Sequence, residues 1–347
     1  MSKTSSGCTF AAAVAVLATL FAVSAINPAY AAERKSIRWA TSSTGSYGYK
    51  VAAQMIKVLE DALGGEYTVT VNPYPSTTGA MKATMNGEGE IGYTADVGMT
   101  QVYEGTGGFK GFKAAKSNLV HTWYAYPMES FMAVHASKAG QFKSWGDFSG
   151  KPVFFTPAGY MNWLNFQRIF KALGYKFNHV QIGTEAQGDA LQAGTIVGAC
   201  AYTTAGASLA SYWRETELRT DIRVVNPSPE EVKKLKAADL APVEVDPKKA
   251  FSKDVGVKTI LGVPILFGYN VRVDMPEDVV YKMLSAFYKD RDGLAKADPG
   301  FAPMARDFVG MQVNGIKANP TIPVHAGLAK FLKEHKAWSD TWKIAGK

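Results

Sequence analysis

The stretch IRWATSSTGSYGYKV at residues 37–51 decides the fold. Its first four residues predict a short β-strand, and a polar loop rich in serine and threonine follows. Beyond the loop, apolar residues recur with the spacing of a half-buried helix, at Val51, Met55, Val58, Leu59 and Ala62. A strand that enters a helix through a short polar loop is the repeating unit of an α/β fold.

The segment upstream of this stretch has the pattern of an export signal. Residues 1–31 carry a single charge, Lys3, then an apolar run over 10–26, and they end in a small-x-small pattern at 29–31. The apolar run is short for a membrane span and is followed at once by Asn27-Pro28. We therefore predict a signal peptide cleaved near Ala31 and a periplasmic protein. An uncleaved membrane anchor is the alternative.

The strand and helix pattern continues downstream. Predicted strands cover 67–71, 91–93, 151–156, 180–182 and 197–202, and predicted helices pass through Met81, Phe166 and Trp213. The third of these helices is predicted to open at Thr203 and Thr204. This βαβα order favours a mostly parallel sheet with helices on both faces.

Two further extended segments, 128–135 and 260–272, lie between the halves of this pattern. They predict two α/β lobes joined by a hinge that the chain crosses twice. The first lobe would comprise residues 32–130 and 268–347, and the second lobe residues 131–267. An exported chain of this layout is typical of a clamshell receptor for a small solute.

Composition argues against several classes of protein. The formal charge of +8 comes from scattered lysines and arginines, which raise the local concentration of anions but form no basic stripe for nucleic acid. Cys200 is the single cysteine after residue 31, and its apolar neighbours predict a buried strand position. The five histidines form no metal-binding motif, and no catalytic motif occurs. We therefore predict no enzyme activity, no cofactor and no metal.

Four polar loops remain as candidate ligand contacts. Each is predicted to leave a strand and enter a helix, where free backbone N–H groups and the helix dipole suit a carboxylate. Ligands of open α/β sheets bind at the carboxyl ends of the strands, where these loops lie. Simple helix capping is the alternative for any one loop. The predicted ligand-binding residues are Ser43, Thr44, Ser46, Tyr47, Ser76 and Thr77 from the first lobe, and Tyr160, Asn162, Tyr202 and Thr203 from the second.

Several segments in this order resemble the TAXI family (TRAP-associated extracytoplasmic immunogenic) of solute-binding proteins. The most specific is NVRVDMPEDVVY at 270–281. The others are AT at 40–41 leading to Val51, PS at 75–76, GEIG at 89–92, FSGKPV at 148–153, KALG at 171–174 and IPVHAG at 322–327.

The resemblance implies a type II periplasmic-binding-protein fold that binds a small organic acid, such as glutamate or 2-oxoglutarate, without catalysis. It also implies delivery of this ligand to the permease of a tripartite ATP-independent periplasmic (TRAP) transporter. We predict that the protein is a monomer. The chain departs from the family at residues 159–162, where Gly-Tyr-Met-Asn replaces the usual Gly-Ser-Gly-Thr. A sensory binding protein and an enzyme on the same fold are the alternatives.

Overall fold

The computed structural model describes residues 34–346, which belong to one compact unit. The predicted signal peptide and its cleavage site at Ala31 lie outside the described residues. Within residues 34–346, no helix is both long enough and apolar enough to cross a membrane.

Ten strands form a single sheet among the described residues. They are β1 (Lys35–Thr41), β2 (Tyr67–Pro73), β3 (Ile91–Ala95), β4 (Leu119–Val120), β5 (Tyr124–His135), β6 (Val153–Phe154), β7 (Gly198–Thr204), β8 (Ile222–Val225), β9 (Val243–Val245) and β10 (Ile260–Arg272). The main order across the sheet is β2-β1-β3-β10-β5-β7-β6, with β4 and β9 paired to β10 and β8 paired to β5.

The helices of the described residues follow the strands as predicted for an α/β fold. They are α1 (Tyr47–Ala62), α2 (Thr77–Asn86), α3 (Asp96–Glu104), α4 (Met161–Leu173), α5 (Gln187–Ala193), α6 (Ser211–Arg219), α7 (Pro229–Ala237), α8 (Pro247–Ala250), α9 (Glu277–Lys289), α10 (Arg291–Ala297), α11 (Ala302–Arg306), α12 (Phe308–Ala318) and α13 (Ala326–Glu334).

The sheet is mixed, so the expectation of a mostly parallel sheet was wrong. β1 pairs in parallel with β2 and β3, and β6 pairs in parallel with β7. The long strands β5 and β10 run antiparallel to each other and to β7 and β3, respectively. Short βα units impose parallel pairing within each half of the sheet, whereas the two crossing strands enter from distant parts of the chain.

The crossing strands connect the two halves of the sheet. The first part of β5 pairs with β10, and its later part pairs with β7 and β8. Near the middle of β10, a bulge at Gly268 brings the backbone against the Trp123 carbonyl, where a Cβ atom would lie 2.1 Å from that oxygen. Only glycine allows this approach, so Gly268 fixes how the two crossing strands pack.

Aromatic side chains fill the core beside the first half of the sheet. Trp123 stacks on Tyr269 and on Phe287 at 5.4 and 4.5 Å between ring centroids, and Trp39 meets Tyr269 edge-on at 4.9 Å. All four side chains are buried. Burial of large rings in offset and edge-on contacts contributes heavily to core stability. The helix α9 is thereby held against β1 and β10.

Two local predictions in the second half of the sheet were wrong. Residues 180–182 form no strand, although Val180 N–H donates to the Val153 carbonyl at 2.9 Å. Thr203 and Thr204 do not open a helix, because β7 continues through both and α6 begins at Ser211. Cys200 is fully buried in β7, which confirms the prediction for that residue.

Candidate functional site

Loops from both halves of the sheet enclose a small cavity. Its volume is about 10 Å³, which is about the space of one water molecule. Ten residues line it: Ser42, Ser46, Tyr47, Thr77, Tyr93, Met128, Tyr160, Asn162, Tyr202 and Phe267. Six of them, namely Ser46, Tyr47, Thr77, Tyr160, Asn162 and Tyr202, are among the residues predicted from the sequence. The structure therefore brings together side chains that lie up to 156 positions apart in the chain, between residues 46 and 202.

The first wall of the cavity is the N-terminus of α1. Ser46 is the N-cap residue, and its Oγ accepts a hydrogen bond from the Tyr49 N–H at 3.2 Å. The Ser42 hydroxyl donates to the same oxygen at 2.7 Å. These two bonds leave the Ser46 hydroxyl proton available for an acceptor in the cavity. The capping explanation and the ligand explanation for this loop are thus compatible.

The second wall is the N-terminus of α2. Ser76 caps this helix by accepting the Gly79 N–H at 3.1 Å, and Thr77, the first helical residue, lines the cavity. Ser76 itself is half-buried and does not line it. The first turn of an α-helix has N–H groups without intrahelical partners. Those of Thr78 and Gly79 donate to the Gly159 carbonyl and the Ser76 hydroxyl, so the N–H of Thr77 is the donor that α2 presents on this side.

The third wall is the N-terminus of α4. Its N-cap residue, Tyr160, has an extended backbone and provides no side-chain cap for the helix. The first N–H groups of α4 are therefore not satisfied by a capping side chain. Asn162, in the first turn, is buried and lines the cavity. Its Nδ2 donates to the Ser130 hydroxyl on β5 at 3.1 Å.

Hydrogen bonds join the loops on opposite sides of the cavity. The Ser43 and Tyr160 hydroxyls lie 2.6 Å apart. The backbone N–H and the hydroxyl of Thr78 both donate to the Gly159 carbonyl, at 3.1 and 2.9 Å. Gly159 has a φ of +90°, and a Cβ atom there would lie 2.9 Å from the Ser76 hydroxyl. The close contact of these loops thus depends on glycine at position 159.

Four of the ten predicted residues do not line the cavity. Thr44 is exposed at the tip of its loop. Ser43 and Ser76 lie next to the cavity, where Ser43 contacts the Tyr160 hydroxyl and Ser76 caps α2. Thr203 is buried within β7, where its hydroxyl donates to Glu129 at 2.7 Å. Side chains alternate along a strand, so Thr203 faces away from the side on which Tyr202 lines the cavity.

The sequence-based prediction missed four lining residues: Ser42, Tyr93, Met128 and Phe267. Tyr93 and Phe267 stack at 5.1 Å between ring centroids on the neighbouring strands β3 and β10. Met128 lies on β5, opposite Thr204. Tyr93, Met128 and Phe267 all lie inside their strands, where an apolar residue has the same sequence pattern in a core and in a cavity wall.

No charged side chain is among the ten lining residues. A buried carboxylate lies behind Tyr47: Asp298 accepts the Tyr47 hydroxyl at 2.5 Å and the Gly300 N–H at 2.9 Å. The Lys50 ammonium lies 2.7 Å from the other carboxylate oxygen. Burial alone would raise the pKa of Asp298, but these partners together hold it below its ordinary value. The ion pair therefore fixes Tyr47 from behind.

Among residues 34–346, no group of three or more His, Cys, Asp or Glu side chains is arranged to hold a metal ion. Burial is the largest cause of the pKa shift of Tyr160 at the cavity. Burial raises the pKa of Tyr160, although the hydrogen bond to Ser43 partly opposes it. The lining hydroxyls therefore remain neutral hydrogen-bonding groups at neutral pH.

Comparison with solved structures supports the fold. MatC from Rhodopseudomonas palustris, solved with bound malate, is similar over 82% of this chain and 96% of its own, with a TM-score of 0.54 and 13% identity. A structure described as a periplasmic transporter is similar over 84% of this chain and 99% of its own, with a TM-score of 0.50 and 13% identity. At this identity the likeness concerns the fold alone, which is the α/β fold of periplasmic solute-binding proteins.

Sequence comparison identifies the family. No curated protein sequence matches the chain. A family model, described as the NMT1-like family, matches residues 39–335. The match begins within β1 and ends one residue after α13. It includes every residue that lines the cavity. This chain therefore belongs to the NMT1-like family.

Proposed function

We propose that this chain is an exported solute-binding protein that captures a small organic anion between two lobes. The observation that carries the proposal is the convergence of three helix N-termini, those of α1, α2 and α4, on one cavity. Each N-terminus carries partial positive charge and backbone donors, which together suit a carboxylate.

The proposed ligand is held by neutral donors. Ser46, Thr77 and Asn162 supply hydroxyl and amide groups, and the lining residues include no guanidinium or ammonium group. Hydrogen bonds to an ionised acceptor are stronger than those between neutral groups. A single carboxylate can therefore be bound here without a buried arginine, whose desolvation would be costly.

The aromatic residues of the cavity favour a compact ligand with an apolar portion. Tyr93, Tyr202 and Phe267 provide flat surfaces against which a short carbon skeleton can pack. The TAXI resemblance suggests glutamate or 2-oxoglutarate as examples. The sequence at 159–162 offers one phenol and one amide in place of several small hydroxyls, so we propose a monocarboxylate or a small dicarboxylate with one buried end.

Transport is the physiological role that we propose, with delivery to a TRAP-type permease on the basis of the sequence resemblance. The proposal includes a periplasmic location, a monomeric receptor, no catalysis, and lobes bounded at residues 130–131 and 267–268. Genes for a fused permease beside this gene would support the TRAP assignment over a sensory role.

Native mass spectrometry tests the proposal directly. Protein purified without refolding should carry a small acid that denaturation releases and that mass analysis identifies. Isothermal titration calorimetry of refolded protein should then show binding of that acid, and weaker binding of its uncharged amide. Preference for a neutral or cationic compound over all carboxylates in the same screen would overturn the proposed ligand class.

A further inference from the structure

A row of polar side chains connects the cavity to an arginine outside it. Asn162, Asn165 and Arg168 follow one another at three-residue intervals on α4, so they lie along one face of the helix. Asn162 and Asn165 are buried, and Arg168 is half-buried. Polar groups buried in this way require defined hydrogen-bond partners.

The direction of the hydrogen bonds is fixed at the arginine end. The Arg168 Nε can only donate, and it lies 2.7 Å from Asn165 Oδ1. The Asn165 amide must therefore direct its Nδ2 the other way, where it donates to the Val263 carbonyl and to the Ser130 hydroxyl oxygen, both at 3.1 Å. A second arginine nitrogen donates to the Pro264 carbonyl at 3.4 Å.

The direction at the cavity end follows from the proton of Ser130. This fully buried hydroxyl accepts N–H groups from both Asn165 and Asn162, and it donates to no group within residues 34–346. A half-turn of the Asn162 amide leaves its shape unchanged and places Oδ1 where the Ser130 proton can reach it. The same half-turn directs the Asn162 NH₂ group into the cavity.

We propose that Arg168, Asn165 and Ser130 are positioning residues that orient Asn162 so that its NH₂ group donates to the ligand carboxylate. Every hydrogen bond in this chain then has the same direction: Arg168 donates to Asn165, and Asn165 donates to Ser130. Ser130 donates to Asn162, and Asn162 donates to the ligand. Such chains polarise each bond along them, and the first bond is strengthened by the guanidinium charge. The inference rests on the proposed function, because it assigns a specificity role within that site.

This chain of hydrogen bonds from Arg168 to Asn162, called the relay below, also explains how an anion site works without an arginine in the cavity. Arg168 keeps contact with the carbonyl of the crossing strand β10. Burial lowers its pKa, while the nearby Asp96 carboxylate opposes that shift. Its donor character reaches the ligand through three side chains, those of Asn165, Ser130 and Asn162, so its charge stays outside the ligand cavity.

Neutron diffraction of deuterium-exchanged crystals tests the direction of the relay without any ligand. The expected result is a deuterium on Ser130 Oγ that points to Asn162 Oδ1, with the Asn162 ND₂ group facing the cavity. A Ser130 deuterium pointing elsewhere, with the Asn162 ND₂ group on Ser130, would overturn the proposal. This result is independent of which ligand the protein binds.

Binding measurements test its effect on specificity. The probes are two acid–amide pairs, L-glutamate with L-glutamine and succinate with succinamate. The variants are Ser130→Ala and Arg168→Met, with Arg168→Lys as the control that keeps a donor for Asn165. Ser130→Ala and Arg168→Met should each reduce the preference for acid over amide by about fivefold to tenfold, the net effect of one ordinary hydrogen bond.

Each outcome of these measurements decides one question. Arg168→Lys should retain most of the acid preference. If Ser130→Ala lowers the affinities for acid and amide equally, Ser130 has only a packing role and the relay is overturned. The relay is also overturned if Arg168→Met reduces the acid preference and Ser130→Ala does not. Thermal melting identifies any variant that fails to fold, and Ser130→Ala then carries the test alone. If the unmodified protein binds no acid of either pair, the proposed ligand class is at fault, and the neutron result still decides the relay.

Discussion

Ser46 has two roles in the structure, and Thr44 in the same loop has neither. Ser46 caps α1 and lines the cavity, whereas Thr44 is exposed. We predict that Ser46→Ala lowers the free energy of unfolding by about 0.5–2 kcal/mol, because the cap is lost. The same change should weaken binding of a carboxylate by about 1–3 kcal/mol, because one acceptor on the ligand is left unpaired.

Urea unfolding and titration calorimetry check the two parts of that prediction. Thr44→Ala is the matched control, since it removes a hydroxyl from the same loop without touching the cavity. It should change stability by less than about 0.5 kcal/mol. Equal effects of the two substitutions on binding would mean that the ligand contacts the loop tip instead of the helix N-terminus.

Asp298 predicts a loss of stability at acidic pH. Its carboxylate is fully buried, accepts from Tyr47 and Gly300, and pairs with Lys50. Because the folded-state pKa is lower than the unfolded value, the stabilisation is fully present above the unfolded pKa, near 4. It is lost as the pH falls through the lower folded-state pKa.

The substitution Asp298→Asn isolates this effect. It should destabilise the protein by about 1–3 kcal/mol at pH 7, because Lys50 loses its partner while hydrogen bonds from Tyr47 and Gly300 can persist. The difference from the unmodified protein should shrink as the pH falls below about 4. Urea unfolding over pH 2.5–7 measures it, and a difference that stays constant with pH would contradict the assignment.

At the scale of the element, the strand β5 carries a carboxylate with an opposite pH dependence. Glu129 lies between β10 and β7, and burial raises its pKa from 4.5 to about 7, although Thr203 and Gly206 donate to it. Between these two pH values the folded protein holds a proton that the unfolded chain has released. The contribution of Glu129 to stability must therefore fall as the pH rises from 4.5 to 7.

Glu129→Gln should remove this dependence while keeping an oxygen for Thr203. A rise in the pKa of Glu129 from 4.5 to about 7 corresponds to roughly 3 kcal/mol. As the pH rises from 4.5 to 7.5, the free energy of unfolding of the variant should increase relative to that of the unmodified protein by this order of magnitude. Denaturant unfolding across this range checks it. A pH-independent difference would mean that Glu129 is already ionised in the folded protein at pH 5.

Elements with strong periodicity were predictable from the sequence, and their edges were not. The apolar spacing from Val51 to Ala62 identified α1, and the long apolar run before Val271 identified β10. Residues 180–182 look like a strand, but they pass the edge of the sheet with only a single backbone bond to Val153. Strand assignment there depends on pairing geometry, which local sequence does not specify.

The candidate site was predictable in the same partial way. Helix N-termini have local signals, so Ser46, Thr77 and Asn162 were found. Thr203 was assigned to a helix start because threonines cap helices, whereas β7 extends through it and places its side chain toward Glu129. Tyr93 and Phe267 were missed because an apolar residue inside a strand has the same sequence pattern in a core and in a pocket.

On the scale of the whole molecule, loops from the two halves of the sheet are in contact, as the closed form of the proposed receptor requires. Two strands, β5 and β10, connect the halves of the sheet, and the cavity between the loops is about 10 Å³. Closure in such receptors changes a few backbone angles where the chain crosses between lobes. The contacts that hold the loops together are then the hydrogen bonds of Ser43 to Tyr160 and of Thr78 to Gly159.

Tyr160→Phe should shift the balance of the whole molecule toward an open form. The substitution keeps the buried ring and removes only the hydroxyl that lies 2.6 Å from the Ser43 hydroxyl. Losing one such bond should disfavour the closed form by about 1 kcal/mol, or roughly fivefold. Small-angle X-ray scattering should show a larger radius of gyration for the variant, and calorimetry a similar loss of carboxylate affinity.

The matched control is Tyr103→Phe, which removes a hydroxyl bonded at 2.9 Å to the Leu119 carbonyl within the predicted first lobe. That bond does not cross the cavity, so its loss should leave the radius of gyration and the affinity unchanged. Gly159→Ala extends the test, because a Cβ atom at this position meets Ser76 only when the loops are together. Scattering curves that superimpose for the unmodified protein and all three variants would contradict closure by these contacts, and the crossing strands would then have to be regarded as rigid.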